Sequence, residues 1–202
     1  MSVSAGRALP TGVVTFLFTD IEGSTRLWER AAEAMRGSLA RHDELLHDVV
    51  ERNGGVVFKT VGDSFCCVFE RSEAALLAAV AAQHALLDEQ WPRSIGSLRV
   101  RAGLHTGAAV LRRGDYFGPT VNRVARLTAA AHGGQILVSS ATATLLAAKL
   151  GDITLRDLGT HRLRDLGEPE RIFQAIAPGL PVESLPPASL DSTPNNLPSQ
   201  IS

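Results

Sequence analysis

The chain has 202 residues, enough for one domain with a short appendage. Its content of 45% hydrophobic and 20% charged residues excludes a fully disordered, collagen-like or coiled-coil chain. The net charge of −1 favours neither a nucleic-acid partner nor a membrane partner, and no stretch has the character of a signal peptide or a membrane span. The two cysteines, the neighbours Cys66 and Cys67, suit a reducing compartment. We therefore expect a cytoplasmic protein.

Proline marks the predicted C-terminal limit of the domain. Six of the ten prolines lie between Pro178 and Pro198, in a stretch that is also rich in serine and asparagine. This composition is typical of a flexible tail or a linker. We predict a flexible leader at residues 1–10, one domain at residues 11–177 and a Pro- and Ser-rich disordered tail or linker at residues 178–202.

The first half of the domain is predicted to contain a strand, a helix, a hairpin and a second helix. The β-branched and aromatic run at residues 13–19 predicts a buried strand that ends at Asp20. Ser24 or Thr25 is expected to cap the following helix, which continues to Val50 and stops at residues 53–55. Two strand-like runs at residues 56–60 and 64–69 predict the hairpin, and an alanine- and leucine-rich run at residues 73–89 predicts the second helix.

The second half continues with alternating strands and helices. Residues 98–111 give strand signals on either side of Gly107. A helix is predicted to start at residues 117–119 and to continue to residue 131. A strand at residues 136–139, a helix at residues 140–150 and two strands within residues 153–176 complete the pattern. This order predicts an α/β sandwich with helices packed over one sheet.

Two aspartates lie where apolar strands end. Asp20 follows the first predicted strand, and Asp63 lies in the turn of the predicted hairpin. If the fold brings them together, their carboxylates could hold Mg²⁺, which prefers a few carboxylates together with phosphate oxygens. The alternative is that Asp20 caps a helix and Asp63 serves the turn.

Two further features suit phosphate binding. Gly23, Ser24 and Thr25 lead directly into a helix whose free amides attract anions, although the segment matches neither a P-loop nor a dinucleotide fingerprint. Asn122 and Arg126 lie four residues apart and therefore on one face of a predicted helix. Arg126 could donate two hydrogen bonds to a phosphoryl group, whereas the alternative is that both side chains are merely solvated.

Three segments in this order resemble the catalytic segments of class III nucleotide cyclases, the adenylate and guanylate cyclase catalytic domain: FLFTDIEGSTRLW, FKTVGDSF and GDYFGPTVNRVARL. The later run DLGTHRLRDLGEPERIFQ resembles the C-terminal strands of bacterial members, so that the resemblance covers residues 13–176. It implies a ferredoxin-like α/β core, with helices packed on a mainly antiparallel sheet. It also implies a head-to-tail homodimer with active sites at the subunit interface.

The resemblance assigns roles by position. It implies that two divalent ions, Mg²⁺ or Mn²⁺, are held by Asp20, Asp63 and the backbone carbonyl of Ile21. The positions of the base-recognition pair fall on Lys59 and Asp115, and those of the transition-state pair fall on Asn122 and Arg126. The implied reaction is attack of the ribose 3′-oxygen on the α-phosphate of a nucleoside triphosphate, which yields a 3′,5′-cyclic nucleotide and pyrophosphate.

The base-recognition pair predicts ATP as the substrate. Asp115 can accept a hydrogen bond from the exocyclic amino group of adenine, while the O6 acceptor of guanine would be repelled. In the family, Lys with Asp goes with ATP. One departure from the family is the absence of a triphosphate-binding lysine in the last hairpin, where His161, Arg162 and Arg164 are the possible substitutes.

Two other functions are compatible with this family of folds. A cyclase-like regulatory module that binds nucleotide without turnover usually lacks a metal aspartate or the Asn–Arg pair, and this chain retains all of them. A diguanylate cyclase would require a GGDEF-type hairpin, which residues 60–64 do not supply. His105, in a strand-rich stretch, is expected to be structural.

Overall fold

The computed structural model describes residues 8–146, 151–181 and 185–188. Within them the chain forms eight strands and four helices, all between Gly12 and Ile176. In chain order these are β1 (Gly12–Ile21), α1 (Ser24–Arg52), β2 (Val56–Val61), β3 (Ser64–Phe69), α2 (Ser72–Asp88), β4 (Val100–Arg112), β5 (Asp115–Phe117), α3 (Pro119–Ala130), β6 (Ile136–Ser139), α4 (Ser140–Leu146), β7 (Thr154–His161) and β8 (Glu170–Ile176).

The strands form one sheet in the order β2-β3-β1-β4-β6-β8-β7, with β5 paired to the end of β4. All pairs are antiparallel except β4 with β6, which is parallel. The prediction of an α/β fold with helices on a mainly antiparallel sheet is therefore confirmed. The predicted hairpin is also present, as β2 and β3.

Helices cover both faces of the sheet, and the alternation of side chains in β1 shows how. Leu17 and Ile21 belong to the core formed with α1, α2 and α4. Phe16 and Phe18 belong to a second core, which Val124 of α3 also joins. Because successive side chains of a strand point to opposite faces, Asp20 has the same orientation as Phe16 and Phe18 and lies on the α3 side.

Two glycines of β4 explain how closely α3 approaches the sheet. A Cβ atom at Gly107 would lie 2.9 Å from the Oγ1 atom of Thr120, and one at Gly103 would lie 2.5 Å from that of Thr128. The sequence predicted strand signals on either side of Gly107, and the structure shows one continuous strand, paired through Val14 and Gly107. Gly107 therefore makes room for a helix instead of ending a strand.

Two predicted helix ends can be compared with the structure. The expected cap from Ser24 or Thr25 is wrong, because Gly23 occupies the cap position of α1 with φ 69° and no side chain makes a cap hydrogen bond. The helix predicted at residues 140–150 is described as Ser140–Leu146, and residues 147–150 lie outside the described residues.

Parts of the predicted leader and tail contact the domain. The Tyr116 hydroxyl donates a hydrogen bond of 2.6 Å to the carbonyl of Pro10. The amide of Ala188 donates to the carbonyl of Ala130 at 2.9 Å, at the C-terminal end of α3. Residues 1–7, 182–184 and 189–202 of those predicted segments lie outside the described residues. None of the described helices is both long enough and apolar enough to cross a membrane.

Candidate functional site

The structure brings Asp20 and Asp63 to the same end of the sheet. Asp20 is the penultimate residue of β1, and Asp63 lies in the turn between β2 and β3. The backbone amide of Ile21 donates a hydrogen bond of 3.1 Å to Oδ2 of Asp63. The carboxylate of Asp63 therefore reaches the backbone of the residue directly after Asp20. Gly62 enables this tight turn with φ 62°, a conformation that glycine adopts without strain.

Asp20 has two partners from neighbouring strands. The Ser64 hydroxyl donates to Oδ1 of Asp20 at 2.8 Å, and Nη2 of Arg101 contacts Oδ2. The side chains of Arg101 and Asp20 are 26% and 24% exposed. Burial lowers the pKa of Arg101, but an arginine keeps its positive charge at neutral pH. Arg101 stands in none of the predicted site motifs, and it is the register of β1 and β4 that places it opposite Asp20.

The start of α1 is open to solvent at the predicted phosphate-binding residues. Gly23 and Thr25 are exposed, and Ser24 is partly exposed. Glu22, in contrast, turns away from the aspartates, since its carboxylate accepts a hydrogen bond of 2.9 Å from the amide of Gly133. The first turn of α1 is therefore exposed, phosphate binding there stays a prediction, and Glu22 has a partner elsewhere.

Lys59 and Asp115 form an ion pair. Nζ of Lys59 lies 2.6 Å from Oδ2 of Asp115, although 56 residues separate them in the chain. The second oxygen of Asp115 accepts a hydrogen bond of 2.8 Å from the amide of Tyr116, which fixes the carboxylate. The hydrogen bond with Asp115 raises the pKa of Lys59. With 47% of Lys59 and 27% of Asp115 exposed, both groups can reach a ligand.

Asn122 and Arg126 lie on α3, on a face with the exposed residues Ala125 and Ala129. Nη2 of Arg126 forms an ion pair of 2.8 Å with Asp165, and the two side chains are 42% and 61% exposed. Asp165 lies between β7 and β8, in the last hairpin, and stands in none of the predicted site motifs.

The last hairpin also contains the three possible substitutes for a triphosphate-binding lysine. Of these, Arg162 and Arg164 are exposed. The other, His161, has its Nε2 atom 2.8 Å from the carbonyl of Leu158.

A cavity of about 300 Å³ lies between Asp20 and α3. It is bounded by β1, β3 and α3, through Phe18, Thr19, Asp20, Ser64, Cys66, Ala125, Thr128 and Ala129. Burial raises the pKa of Cys66 to about 11, so its thiol stays neutral and is a poor nucleophile. The charged groups at this end of the sheet, rather than the thiol, are thus the candidates for chemistry.

His105 lies in the interior of the sheet, as expected for a structural residue. It is 6% exposed, and its Nδ1 atom lies 2.7 Å from the Ser139 hydroxyl. The network continues from Ser139 to Thr142 at 3.2 Å, then to Thr106 at 3.0 Å and Thr15 at 2.9 Å. Burial lowers the pKa of His105 to about 4, which keeps the ring neutral at pH 7.

A family profile described as the adenylate and guanylate cyclase catalytic domain matches residues 7–173. The chain therefore belongs to the class III adenylate and guanylate cyclases, the family that its motifs predicted. An uncharacterised protein of Mycobacterium tuberculosis is 38% identical over 203 residues, which cover 98% of this chain and 68% of that relative. An adenylate cyclase of Podospora anserina is 39% identical over 155 residues, which cover 65% of this chain and 7% of the fungal protein.

Solved structures of cyclases share the fold. An adenylate cyclase of Trypanosoma brucei, described in its monomeric state, superposes with a TM-score of 0.80 at 29% identity, covering 89% of this chain and 95% of the other. The adenylyl cyclase CyaB of P. aeruginosa superposes with a TM-score of 0.69 at 26% identity, covering 82% and 94%. The predicted cyclase core is thereby confirmed as the fold.

Proposed function

We propose that this protein is an adenylate cyclase that converts ATP to 3′,5′-cyclic AMP and pyrophosphate, as a homodimer with two divalent ions at each site. The observation that carries the choice of ATP is the contact between Lys59 and Asp115, which brings the two predicted base-recognition residues within 2.6 Å of each other in one protomer. A donor and an acceptor held side by side match the ring nitrogen and the amino group of adenine. Guanine would present its O6 acceptor to Asp115 and be repelled.

The residues at the end of β1 suit Mg²⁺ or Mn²⁺. Asp20, Asp63 and the carbonyl of Ile21 offer only oxygen donors, which these hard cations prefer. No cluster of three or more His, Cys, Asp or Glu side chains that could hold a metal occurs among the described residues. A site with few protein carboxylates leaves positions for phosphate oxygens, as is usual for Mg²⁺. Bound metal ions would lower the pKa of the 3′-hydroxyl and neutralise the phosphates.

Arg126 and Asn122 are proposed to act on the transferring group. Arg126 can donate two parallel hydrogen bonds to the α-phosphoryl oxygens and offset the charge that develops there. Its present partner, Asp165, is an exposed carboxylate. Exposed ion pairs contribute little to stability, about 0–1 kcal/mol, so that a phosphoryl group can displace Asp165. Asn122, exposed on the same helix face, would orient the ribose or the phosphate.

An exposed apolar hairpin, formed by the end of β4 and by β5, supports the homodimer. Beyond Gly107, β4 continues into a hairpin with β5 in which Val110 and Phe117 are register partners. Their side chains are 58% and 50% exposed. Exposed apolar residues that lie together are typical of protein interfaces. In such a dimer, Asp20 and Asp63 of one protomer would face Asn122 and Arg126 of its partner.

The reaction is tested by incubating purified protein with ATP or GTP and Mn²⁺, and identifying the products by mass spectrometry. We expect cyclic AMP in excess over cyclic GMP. The double variant Lys59→Glu/Asp115→Cys should lose this preference, and unchanged base selectivity would contradict the proposed pair. Failure of the folded dimer to form either cyclic nucleotide would favour the nucleotide-binding regulatory module.

The shared site is tested by mixing two inactive variants, Asp20→Asn and Arg126→Ala. A mixed dimer would contain one intact site, so we expect activity to return on mixing, with each variant alone as the control. No recovery despite exchange of subunits would contradict a site built from two protomers. Phe117→Ser should weaken the dimer, as measured by sedimentation.

A further inference from the structure

A positively charged side chain already contacts the proposed metal site. Arg101 lies directly opposite Asp20 in the register of β4 and β1, and Nη2 of Arg101 contacts Oδ2 of Asp20. Side chains of paired residues share one face of the sheet and lie close together. The contact therefore follows from the pairing of two central strands of the sheet.

Both oxygens of Asp20 are engaged. Ser64 donates to Oδ1, and Arg101 occupies Oδ2. The nearby Asp63 uses one oxygen to accept the amide of Ile21. A divalent ion that coordinates Oδ2 of Asp20 would face the guanidinium at the same oxygen, where the two positive charges repel. Metal binding through this oxygen therefore requires Arg101 to leave.

The pair is shielded enough for this competition to matter. Only about a quarter of each side chain is exposed, and Nε of Arg101 is buried without a hydrogen-bond partner among the described residues. Coulomb interactions are stronger in such surroundings than in bulk water. With Arg101 in place, the formal charge of Asp20, Asp63 and Arg101 together is −1, whereas the two aspartates alone carry −2. Arg101 thus reduces the charge that attracts a metal ion.

We infer that Arg101 is a tethered counter-ion of Asp20 that a divalent metal must displace, so that it lowers the metal affinity of the nucleotide-free protein. The inference deepens the proposed function and rests on it only in assigning the metal to Asp20 and Asp63. Because the guanidinium is attached to the adjacent strand, it competes at a high effective concentration. Arg101 is then a residue that sets how much metal the protein binds before its substrate arrives.

The test is Mn²⁺ binding to the full chain without nucleotide, measured as free Mn²⁺ by electron paramagnetic resonance. Because the metal no longer has to displace this hydrogen bond to a charged group, Arg101→Gln should bind Mn²⁺ about 10-fold more tightly than the wild type, equivalent to about 1.4 kcal/mol. Arg171→Gln is the matched control, because Arg171 also forms an ion pair with an aspartate, Asp157, on a neighbouring strand. It removes the same charge away from Asp20 and should leave Mn²⁺ affinity unchanged.

Two further variants locate the effect. Asp20→Asn in the Arg101→Gln background should abolish the gain, and a gain that persists would overturn the inference. Arg101→Lys, which keeps a tethered charge, should remain closer to the wild type than Arg101→Gln. Equal or weaker Mn²⁺ binding by Arg101→Gln, equal tightening by Arg171→Gln, or no measurable binding to either protein would also overturn it.

A measurement on the wild type covers the case in which Arg101→Gln does not fold. The ¹⁵N side-chain signal of Arg101, assigned by its loss in Arg101→Lys, should shift on saturation with Mg²⁺ while that of Arg171 stays in place. An unchanged Arg101 signal at saturating Mg²⁺ would overturn the inference. These readouts do not involve turnover, so a protein that binds metal as expected but makes no cyclic nucleotide would refute the proposed function and retain the inference.

Discussion

Two polar clusters of this protein both take residues from β1 and β4 but differ in burial and charge. The cluster at the end of the sheet contains Asp20, Asp63 and Arg101, which are charged and partly exposed. The cluster in the interior joins His105 to Ser139 and three threonines, all buried. Buried polar groups need fixed hydrogen-bond partners, whereas partly exposed charges can exchange partners for ligands. The first cluster is therefore suited to chemistry and the second to stability.

The largest expected effect is on cyclase activity, and it tests the contrast between the charged cluster and the interior cluster. Asp63→Asn should lower the proposed cyclase activity about 1000-fold, equivalent to about 4 kcal/mol of activation free energy, because a neutral amide holds a metal ion poorly. The side-chain oxygen of Asn can still accept the amide of Ile21, so the free energy of unfolding should change by less than about 1 kcal/mol. Cyclase assays and urea unfolding measure the two quantities, and a large loss of stability would remove the contrast.

The next effect concerns the pH dependence of stability. The pKa of His105 is lowered to about 4 in the folded protein, from an ordinary value of 6.5. Between these values the unfolded chain binds more protons, so stability is present at pH 7 and is lost as the pH falls from 6.5 to 4. The wild type should lose up to about 3 kcal/mol more than His105→Gln over this range. Parallel curves of unfolding free energy against pH would show that His105 does not titrate in this way.

A smaller effect is expected within the interior network. Ser139→Ala removes the hydroxyl that lies between His105 and Thr142, and leaves their polar atoms without this partner. The unfolding free energy should fall by about 1–3 kcal/mol, with kcat unchanged. Thr144→Ala is a useful control, since Thr144 is exposed and its hydroxyl donates to the carbonyl of Ser140 in the same helix. A large loss of kcat with Ser139→Ala would link the interior network to the reaction.

The smallest effect is expected at the tail. A chain that ends at Ala177 loses the hydrogen bonds that Leu185 and Ala188 make with the domain, and a chain that ends at Ala188 keeps them. The shorter chain should be less stable by about 1 kcal/mol, because the net contribution of a hydrogen bond is small even where it is partly buried, as it is at Leu185. Differential scanning calorimetry of the two chains measures this difference. A loss of several kcal/mol would mean that the tail belongs to the folded core.

Much of the fold could be predicted from the sequence. Hydrophobic runs and glycine stops located the hairpin of β2 and β3 and the helices α1, α2 and α3, because such patterns are local. Gly107 was harder to interpret, because a glycine that ends a strand and a glycine that lets a helix pack closely against the strand look alike in sequence. Only the packing of Thr120 against β4 distinguishes the two.

For the candidate site, the sequence by itself determined which residues are candidates for the chemistry, because six of them stand in recognisable motifs: Asp20, Asp63, Lys59, Asp115, Asn122 and Arg126. The tertiary structure alone decided their present partners. Arg101 meets Asp20 because β4 pairs with β1 in one particular register, and Asp165 meets Arg126 because the last hairpin returns to α3. A motif records residues that are near one another in the chain, whereas the partner of a charge depends on strand pairing and helix packing between distant segments.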